Sequence, residues 1–182
     1  MAHAFEGIRI LDFSQVLAGP AATHFFSMLG ADVIKVENPA SGDQFRNLMV
    51  TEAFEDYGMS PGFMTLNTAK RSLAIDLKHP DSMEVVLRNA RTADVVVENF
   101  RAGVIEDLGF GYEAIRAIRP DIVYCSISGY GQTGPMQGAA AYDGAIQAAS
   151  GMMSVNGHPE TGPTRTSYTV VDMSTAVTAA FA

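Results

Sequence analysis

Several things are scarce in this chain, and each shortage removes a class of function. There is one cysteine, Cys125, in the run Ile122-Val123-Tyr124-Cys125-Ser126-Ile127. No disulfide can form within the chain, which suits a reducing cytoplasm, and a lone cysteine in such a run reads as a buried strand residue. The four histidines, His3, His24, His79 and His158, are scattered, so no cluster has metal-ligand spacing and no metal is expected. Basic residues are few: 12 Lys and Arg against 20 Asp and Glu, for a net charge of −8. No dense basic stripe could displace counterions from a phosphate backbone, so nucleic acid is not an expected partner. A small anionic ligand needs only a few local cations, and nine of the twelve lie between Arg9 and Arg101. No segment reaches the roughly 18 uninterrupted apolar residues of a membrane span. The start lacks the basic segment and apolar run of a secretory signal. A cytoplasmic location without a membrane partner is the expectation.

The composition that remains is globular: 182 residues, 47% hydrophobic and 18% charged, read as a single α/β domain over 1–182. Strand-like runs alternate with helix-like ones. Strands are predicted at Ile8 to Phe13, Asp32 to Glu37, Arg71 to Leu77, Ala93 to Glu98, Asp121 to Ser128 and Thr166 to Val171. Helices are predicted from Pro20 to Leu29, stopped by Gly30, and from Pro80 to about Arg91. Further helices are predicted from Tyr112 to Ile118, from Asp143 to Ser150 and after Asp172. Residues 43–66 show no clear period beyond a turn at Pro61-Gly62. Such βαβ alternation implies a Rossmann-like, mostly parallel sheet with flanking helices. The last residues, Thr178 to Ala182, read as mid-helix, so the chain is expected to be the N-terminal part of a longer one.

Asp172 draws attention because it stands where a strand-like run meets a helix-like run, the place where open α/β sheets carry their chemistry. Its plain alternative is a helix N-cap, which the local sequence favours, and the two roles can coexist. Asp143 has the same ambiguity before its own helix. Gly129-Tyr130-Gly131-Gln132-Thr133-Gly134 matches the dinucleotide pattern, but Pro135 follows and no helix opens at the third glycine, so the match is weak. Lys35, Lys70-Arg71 and Arg101 could meet an anionic nucleotide, or could be solvated surface charge. Asn99 and Phe100, at the end of a buried strand, could hold and stack a base, or could form a turn.

Taken in order, these pieces resemble the class III CoA-transferases, the group that includes formyl-CoA transferase, carnitine CoA-transferase and α-methylacyl-CoA racemase. The resemblance runs from Gly7 to Phe13 and Ala18-Gly19-Pro20 through Leu29 to Glu37, Gly42-Asp43, Asn67, Lys70-Arg71-Ser72 and Asp76-Leu77. It continues over Ala93 to Phe100, Ser128 to Gly131, Gly134-Pro135 and Tyr142-Asp143, and reaches Asp172. It implies the N-terminal part of a family III large domain. It makes Asp172 the nucleophile, with Tyr142 and Asp143 beside it. It sets coenzyme A, carried in as acyl-CoA, against Val16, Leu17, Ala18, Lys70, Arg71, Asn99 and Phe100, and it implies no metal. A small carboxylic acid would be the other substrate.

Tyr142 separates the branches. The racemase branch has a catalytic His there and needs two bases to move an α-proton between faces. A tyrosine, with a reference pKa near 10, is a poor second base. A transferase is therefore favoured over a racemase-type isomerase, and a CoA-binding fragment without turnover is the third reading. Leu17 stands where formyl-CoA transferases have Gln, which disfavours oxalate and formate. Asp107 stands where many members have Arg, leaving Arg101 as the candidate phosphate contact. The resemblance also implies an interlocked homodimer at full length, and inactivity for the 182-residue chain alone.

Overall fold

The computed structural model describes residues 3–182. Its centre is a five-stranded sheet built from β1 (Arg9–Asp12), β2 (Asp32–Glu37), β3 (Arg71–Ala74), β4 (Val95–Glu98) and β5 (Val123–Ser126). The order is β3-β2-β1-β4-β5 and every pairing is parallel. The helices are α1 (Ala18–Met28), α2 (Pro61–Asn67), α3 (Ser82–Ala90), α4 (Val104–Asp107), α5 (Tyr112–Arg116), α6 (Asp143–Ala149) and α7 (Val170–Phe181). A small antiparallel pair, β6 (Gly157–His158) with β7 (Gly162–Pro163), lies between α6 and α7.

Period-two alternation sorts the strand residues between two cores. Leu11, Phe13, Ile34, Val36 and Val96 face one way and pack with Val86, Ala90, Ile105, Phe110 and Ile115 of the α3 to α5 layer. Ile10, Val33 and Val97 face the other way, toward Phe26 of α1. Helices on both faces leave the central strands no solvated side, so they read as continuous apolar runs.

α1 begins at Ala18, two residues before Pro20. Pro20 is tolerated there because the first helical N–H groups have no intrahelical partner. Its small residues Ala21 and Ala22 lie against Ala176 of α7, flanked by Met173 and Ala179. Small side chains let the two helices approach closely, and this contact seats α7 on α1.

Two expectations fail. Thr166 to Val171 is not a strand. Thr166 N–H donates to Gln147 Oε1 at 2.9 Å, Val170 N–H turns back to Tyr168 O, and the helix starts at Val170. A β-rich composition gives no strand without a neighbouring ladder to join. Nor is Pro61-Gly62 a turn: after two short 3₁₀ turns, Gln44–Asn47 and Glu52–Tyr57, Pro61 opens α2, where a proline fits the first helical position and Ser60 supplies the cap.

Candidate active site

The strand order reverses between β1 and β4, so the chains leaving these two strands diverge and open a crevice at their C-terminal ends. Two adjoining cavities of about 200 and 470 Å³ occupy it. Ala18, Asn99, Phe100, Arg101, Tyr142 and Asp172 belong to both. Val16 and Leu17 line the larger cavity, and Asp143 and the Gly129 to Gly131 segment line the smaller.

One wall is the Ser14 to Ala18 segment leaving β1, and side chains hold the backbone groups of Ser14 and Gln15 and the Val16 N–H. Asp12 accepts from Ser14 N–H at 2.9 Å and from the Ser14 hydroxyl. Lys35 Nζ donates to Ser14 O at 2.7 Å. Asn99 takes Gln15 N–H on its carbonyl and returns its amide N–H to Gln15 O, both at 2.7 Å. Asp43 accepts from Val16 N–H at 3.0 Å and from Phe45 N–H at 2.9 Å. Val16 has φ of 66°, a left-handed conformation that costs a β-branched residue about 1–3 kcal/mol. The surrounding bonds hold it there.

Two buried ion pairs anchor this wall. Lys35 Nζ meets Asp43 Oδ2 at 2.8 Å, and Lys70 Nζ meets Asp12 Oδ2 at 3.1 Å, with all four side chains at most 2% exposed. Burial alone would raise the Asp12 carboxyl, but Lys70, Lys35 and the Ser14 and Thr23 hydroxyls outweigh it and hold the group below the usual carboxylate range. On the β4 side, burial pushes the Glu98 carboxyl up, while the carboxylate accepts Phe100 N–H at 2.8 Å.

Asp172 lies at the far end, in the first turn of α7, with Thr169 at the N-cap position. It is therefore not the cap. Asp143 performs that task from another helix: its Oδ2 accepts Val171 N–H at 2.8 Å and Asp172 N–H at 3.1 Å. Nor does Asp143 cap its own helix, whose N-cap residue is Tyr142. Among the described residues, no hydrogen-bond donor reaches the Asp172 carboxylate oxygens. Burial, and then the negative charge of Asp143, push the Asp172 carboxyl up to about 6. An unencumbered carboxylate of raised basicity at a cavity wall is a competent nucleophile. Gly129, Tyr130 and Gly131 line the smaller cavity, and their N–H groups donate to no other described group.

The crevice gathers Val16, Leu17, Ala18, Asn99, Phe100, Arg101, Tyr142, Asp143 and Asp172. It does not gather the other predicted cations. Lys70 is spent on Asp12, on Pro20 O at 2.9 Å and on Asn67 Oδ1 at 3.0 Å. Arg71 begins β3 and pairs with Asp32 at the N-terminal edge of the sheet, away from the crevice. Lys35 is internal, not a nucleotide contact. Asn99 bonds Gln15 through both ends of its amide, so it shapes the wall. Asp107 ends α4 and lines neither cavity. Gly129 to Gly134 opens no helix, as its sequence context indicated. Sequence reasoning missed Asp12, Gln15 and Gln147, because none of them stands in a pattern that signals its role.

Comparison with known proteins gives the family of the chain. The model of CoA-transferase family III matches residues 5–182. The chain is 41% identical over 175 residues to the succinate–glutarate CoA-transferase of Agrobacterium fabrum, covering 94% of this chain and 44% of that protein. It is 43% identical over 176 residues to the succinyl-CoA:glutarate CoA-transferase of Mus musculus, covering 94% and 39%. Among solved structures, a CAIB/BAIF family protein of Brucella suis superposes with a TM-score of 0.90 at 34% identity, covering 100% of this chain and 48% of that one. A hypothetical protein of Mycobacterium tuberculosis gives 0.89 at 35%, with the same coverage. The chain thus spans less than half the length of these relatives. The match runs through both walls of the crevice and through the helix that carries Asp172, and on that ground the chain belongs to CoA-transferase family III.

Proposed function

We propose that the full-length protein is an acyl-CoA:carboxylate CoA-transferase and that Asp172 is its nucleophile. The observation that carries this reading is the position of Asp172. Its carboxylate is unbonded and raised to about 6, in the wall shared by the two switch-point cavities. CoA runs along Val16 to Ala18 and Phe100, with Arg101 toward its phosphates.

The Asp172 carboxylate attacks the thioester carbonyl of the acyl-CoA. The carbon–sulfur bond breaks, leaving a mixed anhydride on Asp172 and a CoA thiolate. The thiolate attacks the aspartyl carbonyl, which releases the donor carboxylate and leaves an aspartyl-CoA thioester. The acceptor carboxylate attacks that thioester and expels the thiolate once more. The thiolate then attacks the acceptor's acyl carbon, yielding the new acyl-CoA and the free Asp172 carboxylate. No net proton is taken up, and a carboxylate suits this role because it exchanges acyl groups with both thiolates and carboxylates. The Gly129 to Gly131 amides supply donors for the developing oxyanions.

The relatives named for succinate and glutarate support a small dicarboxylic acid as acceptor. Tyr142 stands where the racemase branch carries a catalytic His, which favours transfer over racemisation. The family resemblance supports a homodimer at full length, and sedimentation as a folded monomer would count against it. The single cysteine fits a cytoplasmic setting, which cell fractionation tests.

The deciding experiment incubates the full-length protein with succinyl-CoA, quenches with hydroxylamine and maps peptides by mass. The expected result is modification at Asp172, absent from the Asp172→Ala variant. An unmodified Asp172 together with deuterium uptake at the substrate α-carbon would replace this reading with a racemase.

A further inference from the structure

Gln147 lies on α6 and is completely buried, yet it lines neither cavity. A buried amide is costly unless both of its ends are satisfied. Both are, by partners on opposite sides. Its Nε2 donates to Asp143 Oδ1 at 2.5 Å, and its Oε1 accepts Thr166 N–H at 2.9 Å. The other oxygen of Asp143 takes the first free amides of α7, at Val171 and Asp172. One continuous chain therefore runs from the backbone entering α7, through Gln147 and Asp143, to the backbone of Asp172.

We propose that Gln147 is a positioning residue: through Asp143 it fixes the first turn of α7 and with it the direction of the Asp172 carboxylate. This rests on Asp172 being the nucleophile.

Each link is needed for a physical reason. Asp143 has two oxygens and serves two directions. If nothing held Oδ1, the carboxylate could rotate about its last side-chain bond, and its grip on the two α7 amides would loosen. An amide has both the donor that a carboxylate needs and the acceptor that a backbone N–H needs. An ionised glutamate at 147 would keep the acceptor, lose the donor and set a second negative charge against Asp143. Methionine would keep much of the volume and lose both. Thr166 matters because residues 164–169 form no ladder, so the Gln147 bond is one of the few that tie this segment down. The clamped wall at Ser14 to Val16 receives no bond from Gln147.

The test compares wild type, Gln147→Glu and Gln147→Met in the full-length protein, by steady-state kinetics with succinyl-CoA and glutarate and by amide exchange read by mass. The expected result is a fall in kcat of about ten- to a hundredfold in both variants, the size that misplacing a reacting group produces. KM for succinyl-CoA should stay within about twofold. Exchange should quicken in peptides covering 164–175 and stay unchanged over 9–18. Wild-type kcat in a folded Gln147→Met protein would overturn the proposal. So would a common loss of kcat, KM and exchange protection across the whole molecule, which would make Gln147 a general core residue. Exchange does not depend on turnover. If wild type shows no transferase activity while local exchange still responds, the reading of Asp172 fails and the bonding chain stands. Unchanged exchange over 164–175 removes the chain itself.

Discussion

The two walls of the crevice are built on opposite plans. The Ser14 to Ala18 wall is held by side chains: two buried ion pairs and the Asn99 amide fix its backbone, including a strained Val16. The Ser128 to Ala141 wall is held by very little. Its internal backbone bonds are Gln137 N–H to Gly134 O and Ala139 N–H to Met136 O. Gly131, Gly134 and Gly138 all take positive φ there, the first two with open space around them. The first wall is preorganised, so binding along it requires little further ordering. The second keeps unpaired N–H groups available and adjustable, which suits a surface that must meet charge developing on a substrate.

Replacing Asp43 tests this contrast hardest. Asp43→Ala leaves Lys35 buried without its partner and frees the Val16 and Phe45 amides. A loss of about 3–5 kcal/mol in denaturant unfolding is expected. Adding Lys35→Met should restore a large part of it, and no recovery would mean that the ion pair is not what anchors the wall. Gly19→Ala comes next. A methyl there would overlap Ser14 Cβ, within the tightest packing of the same wall. A cost of about 1–3 kcal/mol in thermal unfolding is expected, as for other overpacked sites.

Across the crevice, Gly131→Ala adds a methyl to open space, so only its φ of 82° matters. The expected cost is about 1 kcal/mol, the penalty of a left-handed residue. An equal or larger loss than at Gly19 would erase the distinction between the walls.

The smallest effect is a shift in pH dependence where the walls meet. Because the Asp172 carboxyl is raised to about 6, kcat/KM should fall as pH drops through that value. Asp143→Asn removes the like charge and should move the acid limb to lower pH. The folded state holds this proton more tightly than the unfolded chain does. The contribution of Asp172 to stability is therefore complete below about pH 4 and lost as pH rises through about 6. The ionised Asp172 carboxylate is kept at some expense to the fold.

Much of this was legible in the sequence. β2 spans Asp32–Glu37 as predicted, because a buried parallel strand writes its apolar content into consecutive residues. α6 was found to within a residue, through the turn residues at its two ends. Asp172 was singled out at the start of a helix, but the segment before it was misread: Thr166 to Val171 has strand composition and no strand to pair with. Lys35 and Lys70 were read as ligand or surface charge. A sequence records that a residue is cationic but not that a carboxylate folds back to within 2.8 Å of it from the loop after β2.

The sequence alone determined the alternation of strands and helices, and from it a parallel sheet with a crevice at strand C-termini. It did so because periodicity and turn chemistry act between near neighbours. Only the tertiary structure decided which charges are internal, which carboxylate caps which helix and which amide links them. Asp12 with Lys70, Asp43 with Val16 and Asp143 with Asp172 are 58, 27 and 29 residues apart. Their bonds exist only after the sheet has formed and α1 has packed on α7. Distance and burial, which set the strength of a charge or hydrogen bond, are properties of the folded chain and of no segment within it.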